Sequence, residues 1–247
     1  MEENKTKQDL RFFGRRKGKA IKPSREKLLQ SLLPRIQLKK PTDGLIDFKT
    51  LFGIKPTQTW LEIGFGGGEH LAHQARMNPT VGIIGAEPFL NGVVSLLAHL
   101  NGSHQKPVQH TDLEDGRVDN VRIWPDDVRP IFSHCADSCF ERIFVLYPDP
   151  WPKARHAERR FLNQTNLKSL YRLLTDDGEL RVATDVVPYA DWALEQIQIS
   201  GLFYLANSDI HQAPNDWFST RYEQKGLAAG RSLTYFIFKK IKNKLDE

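Results

Sequence analysis

Apolar and polar positions change period several times along the chain, and each change marks an element. Residues 1–22 carry no hydrophobic period and read as a mobile arm. Arg25 to Leu33 has helical spacing, with Ser24 as its cap and Pro34 as its stop. A linker punctuated by Pro and Gly follows, from Pro41 to Pro56. Apolar strand-like runs then alternate with helical ones. Strands are expected at Gln58–Ile63, Val81–Glu87, Val121–Trp124, Arg142–Tyr147 and Glu179–Thr184. Helices are expected at Gly68–Met77, Leu90–Leu100, Phe161–Leu174 and Tyr189–Ile199. Leu202–Leu205 and Ser232–Lys239 are strands with no clear helix between them. Short, internally apolar strands separated by helices predict an α/β fold: a mostly parallel, seven-stranded sheet covered on both faces, with an antiparallel hairpin at its C-terminal edge. The division expected is a basic arm with a short helix over 1–40 and one catalytic-sized domain over 41–247.

Composition narrows the class. Forty per cent of the 247 residues are hydrophobic and all five Trp lie beyond residue 40, so the body can bury a sizeable core. The longest apolar runs are far too short for a bilayer span, and no membrane association is expected. The first twenty residues are charged rather than apolar, so a cytoplasmic location is expected. Charge is unevenly placed. Residues 1–40 hold thirteen Lys/Arg against four Asp/Glu, a local +9, whereas the whole chain nets +5. A basic arm on a mildly acidic body suits a phosphate-rich partner. Cys135 and Cys139 offer no disulfide framework and, with His134 alone beside them, no metal site; they read as buried helix cysteines.

The most informative stretch runs from Leu61 to Glu69, where Gly64, Gly66 and Gly68 stand at alternate positions between the first strand and the first helix. That is where a doubly wound sheet binds its cofactor. The dinucleotide fingerprint wants a third small residue one place later, where Glu69 stands, and a carboxylate at the helix start opposes a pyrophosphate. A cofactor with a cationic centre and no phosphates fits better: S-adenosylmethionine, whose ammonium and sulfonium tolerate Glu62. Glu87, at the end of the second strand, is placed to accept both ribose hydroxyls. Asp127, after the third strand, either accepts from the adenine amino group or caps the helical turn at Val128–Ser133.

After the fourth strand comes Tyr147-Pro148-Asp149-Pro150-Trp151-Pro152-Lys153. Three prolines in five positions stiffen the backbone and hold Asp149 at the carboxyl end of a central strand. Tyr147 and Trp151 offer faces for stacking a base. Lys153, Arg155, His156, Arg159 and Arg160 follow, a basic run beside aromatics that reads as a nucleic-acid contact.

From Pro148 to Lys153, with Arg155-His156 and Arg159-Arg160, the sequence closely resembles the signature of the tRNA (guanine-N7)-methyltransferases. Leu61 to Gly66, Thr184-Asp185, and Thr220-Arg221-Tyr222-Glu223 are similar to further motifs of that family, in the same order. The resemblance spans Thr59 to Phe238 and implies a Rossmann-like class I methyltransferase acting at N7 of a guanine in the tRNA variable loop, position 46. It implies that Glu62, Glu87, Asp127 and Asp149 line the methyl-donor site; the glycine turn adds Gly64, Gly66 and Gly68, and Asp149 is the expected catalytic residue. Lys153, Asp185, Thr220, Arg221, Tyr222 and Glu223 would hold the substrate, and Arg155, His156, Arg159 and Arg160 would touch RNA; the sequence leaves monomer and homodimer both open. Glu158 and Tyr222 depart from the family, which usually has a basic residue and Phe there. Two rival functions are a methyltransferase acting on an exocyclic base amine, or another RNA base atom, and a non-catalytic RNA-binding protein on the same fold.

Overall fold

The computed structural model describes residues 12–102 and 119–242; the start of the arm and the last five residues lie outside them. Seven strands form one sheet in the order β3-β2-β1-β4-β5-β7-β6. They are β1 (Gln58–Ile63), β2 (Val81–Ala86), β3 (Val121–Trp124), β4 (Phe140–Leu146), β5 (Leu174–Thr184), β6 (Phe203–Leu205) and β7 (Thr234–Lys240). The first five run parallel, and β7 runs antiparallel to both β5 and β6. The C-terminal pair is therefore antiparallel, as expected, with β7 inside and the three-residue β6 at the edge.

Alternation along the strands sends side chains to two separate cores. Leu61, Ile143, Val145, Leu180 and Val182 pack against helices α6 (Arg129–Phe132), α7 (Gln164–Leu173) and α8 (Val187–Ser200). Trp60, Ile83, Phe144 and Ala183 pack with α4 (Glu69–Met77) and α5 (Leu90–Leu100). The first helix begins earlier than expected. Helix α1 is Pro23–Ser31 with Lys22, not Ser24, at its cap, and Pro34 opens a second turn, α2 (Leu33–Ile36), instead of stopping the first. Proline is tolerated in a first turn because its missing N–H would be unpaired there anyway. The linker holds a one-turn helix, α3 (Phe48–Leu51), capped by Asp47. The long connection after β6 holds α9 (Arg221–Ala228). Helix α6 ends at Phe132, so buried Cys135 and half-buried Cys139 lie in the following turn and not in a helix.

Sheet order reverses direction at β1, which pairs with β2 on one side and β4 on the other. The crevice at the carboxyl ends of those strands is the switch point of an open α/β sheet. The glycine turn, Glu87, Asp127, Asp149 and Asp185 follow β1, β2, β3, β4 and β5, so all five open on one edge of the molecule.

Candidate active site

Gly64, Gly66 and Gly68 all have positive φ, at +69°, +55° and +79°, a conformation that side chains with a Cβ rarely adopt. A Cβ on Gly64 would meet nothing within 4 Å, so the first bend faces open space. The carbonyl of Gly66 lies 2.3 Å from where a Cβ on Gly92 would stand, so that close approach of turn and α5 requires glycine.

Glu87 clamps this turn. Its Oε2 accepts from the Gly66 N–H and its Oε1 from the Phe89 N–H, both at 2.8 Å. Burial pushes its pKa up to about 7, against those two hydrogen bonds and with help from the nearby charges of Asp149 and Glu62. Glu62 points to the α4 side of the sheet, where its Oε2 meets His70 Nδ1 at 2.8 Å. The residues fit S-adenosylmethionine. Buried Glu62 and Glu87 flank the turn, and Glu69 folds back over it with its Oε1 buried and 3.7 Å from Arg221 Nε. Three carboxylates against one guanidinium leave the turn acidic, which suits a cationic donor better than a pyrophosphate.

Asp127 is occupied. It accepts from the Arg129 backbone N–H at 3.1 Å and from the Arg129 guanidinium through both oxygens; the cap residue of α6 is Val128, so Asp127 stands one position before the cap. Asp126 turns the other way and pairs with Arg16 at 2.6 Å.

In the proline-framed turn, Tyr147 and Trp151 both have positive φ, at +51° and +40°. Such strain persists only where surrounding structure enforces it. Arg160 supplies enforcement: its Nε and Nη2 donate to the carbonyls of Pro150 (2.9 Å) and Trp151 (3.2 Å), and its guanidinium stacks on Trp192. Arg159 lies over both Phe13 and Trp151, and His156 meets Trp151 edge-on. Trp151 thus faces the basic run and the arm. Tyr147 is the turn's other aromatic, and its ring is near-parallel to that of Tyr222, with centroids 6.4 Å apart. Asp149 is exposed at the tip. Burial chiefly raises the pKa values of Glu87 and Tyr222, and the Asp149 charge raises both further, which places that charge beside them. Lys153 and Arg155 are exposed.

The C-terminal motif divides in two. Thr220 and Glu223 are buried and form a capping box for α9. Glu223 also accepts from Trp217 Nε1 and Tyr235 Oη, each at 2.7 Å. Arg221 and Tyr222 point outward, and Tyr222 Cε2 lies 3.1 Å from a Cβ placed on Gly66. Asp185 pairs with Arg231, a partner outside the motifs read from sequence. Thr220→Ala is expected to lower stability by about 1 kcal/mol, a drop of roughly 2–4 °C in thermal midpoint by calorimetry.

Beside the glycine turn lies a cleft of about 430 Å³ whose walls include Lys19, Arg25, Arg221 and Lys225. Among the described residues, no helix is long and apolar enough to cross a membrane, and no His/Cys/Asp/Glu group could hold a metal.

A mostly parallel seven-stranded sheet with a glycine turn after β1 and a carboxylate after β2 defines a Rossmann-like, S-adenosylmethionine-dependent methyltransferase. The fold is similar to that of the 16S rRNA methyltransferase KamB, at TM-score 0.52 and 14% identity over 84% of this chain and 99% of that one. A putative methyltransferase family matches residues 56–235. The tRNA (guanine-N(7)-)-methyltransferase of Rhodospirillum rubrum is 44% identical, covering 96% of this chain and 90% of its own. That of Zymomonas mobilis is 37% identical over 94% of each. The chain belongs to the tRNA (guanine-N7)-methyltransferase family.

Proposed function

We propose that this chain methylates N7 of the guanine at position 46 in the tRNA variable loop, and that it does so by positioning and electrostatics. Guanine N7 carries an in-plane lone pair and needs no deprotonation before attack. S-adenosylmethionine, when bound, supplies an electrophilic methyl group. The work left to the protein is to bring N7 in line with it and to offset the positive charge that develops on the purine. The observation that carries this reading is the rigid Asp149 turn beside Glu87, at the switch point of the sheet.

Glu62 and Glu87 hold the donor's ammonium and ribose. Asp149 accepts from the guanine N1–H and N2–H edge and offsets the charge on the base, with Asp185 assisting. Tyr147 and Tyr222 flank the base; their 6.4 Å separation is close to twice the roughly 3.4 Å rise of stacked nucleotides. Lys153 contacts the base O6 or a phosphate, and the cations around the cleft take the RNA backbone.

Within the basic run, outward and inward residues should separate by experiment. Lys153→Ala and Arg155→Ala should each reduce the salt dependence of tRNA binding by about one in slope. Arg160→Ala should leave that slope unchanged and lower kcat by roughly 10- to 100-fold, because a misplaced turn loses alignment. Filter binding across a salt series and single-turnover assays check both; equal slope changes in all three variants would return Arg160 to the RNA surface.

A further inference from the structure

Residues 12–19 make more contacts with the body than a tethered basic tail needs. The N–H of Leu90, first residue of α5, donates to the carbonyl of Arg16 at 2.9 Å. Helix α5 has no side-chain cap of its own, so the arm caps it from 74 positions away. Asn91 holds the arm at two points: its Oδ1 accepts from the Gly18 N–H and its Nδ2 donates to the Lys19 carbonyl, both at 2.7 Å. A Cβ on Gly18 would stand 2.7 Å from the end of the Phe89 ring, so the arm lies close against that side chain. Arg16 meets Asp126 at 2.6 Å. Three residues earlier, Phe13 packs edge-on against Trp151 and under Arg159.

Those contacts fall on segments following β2, β3 and β4. Because the sheet order is β3-β2-β1-β4, a segment touching both sides passes across the carboxyl end of β1, where the glycine turn lies. Three strand intervals of about 4.8 Å are a distance that residues 13–16 and their two long side chains can span. Lys19 completes the crossing by lining the same cleft as Gly66.

We propose that residues 12–19 are a strap over the methyl-donor site, fastened by Asn91 and the Arg16–Asp126 pair, and that donor release requires the strap to lift. The proposal rests on the donor-site reading given above. An ion pair this exposed contributes little alone; Phe13, against Trp151 and Arg159, fastens one end of the strap, and the bonds to Leu90 and Asn91 fasten the other. Arg16, Gly18 and Asn91 act as positioning residues, closing the site without touching the reacting atoms.

The test uses the full chain without tRNA: release of labelled S-adenosylmethionine during a chase with excess S-adenosylhomocysteine. Phe13→Ala/Arg16→Ala and Asn91→Ala should each speed release on the order of five- to tenfold, the worth of one or two hydrogen bonds. Their combination should be no faster than either, since freeing either end lifts the strap, and calorimetric midpoints should fall by no more than about 4 °C. Wild-type release rates in either variant would overturn the strap alone. So would a full additional effect of Asn91→Ala in the Phe13→Ala/Arg16→Ala chain, because Asn91 would then act on the donor directly. Failure of the wild-type chain to hold label would overturn the donor-site reading, and the strap with it.

Discussion

Asp149→Ala is expected to lower kcat for tRNA methylation by about 10²- to 10³-fold, the usual loss when one preorganised electrostatic group is removed from a reacting centre. Affinity for S-adenosylhomocysteine should stay within about threefold of wild type, since a single exposed contact carries little binding energy. The reason lies in which carboxylates are already engaged. Glu62 meets His70, Glu87 clamps two backbone amides, Asp127 is held by Arg129 and Glu223 by Trp217 and Tyr235. Asp149 stands exposed on a turn that Arg160 and three prolines hold stiff. Asp149→Asn keeps an acceptor and loses the charge, so an activity between alanine and wild type is expected. Single-turnover transfer and calorimetry check both; an alanine variant with full kcat would remove Asp149 from the chemistry.

The second large effect belongs to Glu87. Its folded pKa, pushed up to about 7 from an ordinary 4.5, fixes the sign of two pH dependences. The folded protein keeps this proton through an interval in which the unfolded chain has lost it. The side chain therefore contributes stability below about 4.5 and loses it as pH rises to about 7. Donor binding runs the opposite way, because only the ionised carboxylate is a full acceptor for ribose hydroxyls. Affinity for S-adenosylhomocysteine should rise about tenfold from pH 6 to 8, with proton release visible as a buffer-dependent calorimetric enthalpy. Glu87→Gln should abolish that dependence. It should also weaken binding by roughly 10- to 100-fold, because the amide NH₂ then faces the N–H of Gly66 or Phe89 and one of the two clamps is lost. A wild-type affinity flat across this range would show that Glu87 is ionised throughout or does not meet the donor.

Much of this was legible in the chain itself. Apolar runs such as Val81–Ala86, wholly buried in the sheet, show their period directly, and glycine and proline punctuate both turns. Less was legible where one residue type serves two physical roles. Arg159 and Arg160 look like a phosphate grip in sequence, yet one lies over two aromatic rings and the other braces carbonyls ten and nine positions back. Only tertiary placement separates these roles. Thr220-x-x-Glu223 is a readable capping box, but the burial of Glu223 comes from Trp217 and Tyr235, which the pattern does not specify. The docking of the arm was hidden because its contacts are mainly backbone carbonyls and one glycine, which leave no hydrophobic period. Phe13 and Gly18 were the available signals, and neither specifies a partner. The order of β6 and β7 was equally hidden, since a three-residue edge strand and a buried neighbour differ in pairing more than in composition.

The proposed chemistry presents a guanine N7 to a donor bound beside Asp149. Its most direct measurement is incubation of the full chain with unmodified tRNA and methyl-labelled S-adenosylmethionine, followed by nuclease digestion and identification of the labelled nucleoside. The expected product is N7-methylguanosine at position 46, formed about 10²- to 10³-fold more slowly by Asp149→Ala. Label on an exocyclic amine or another base, or no transfer by a chain that binds both ligands, would contradict it.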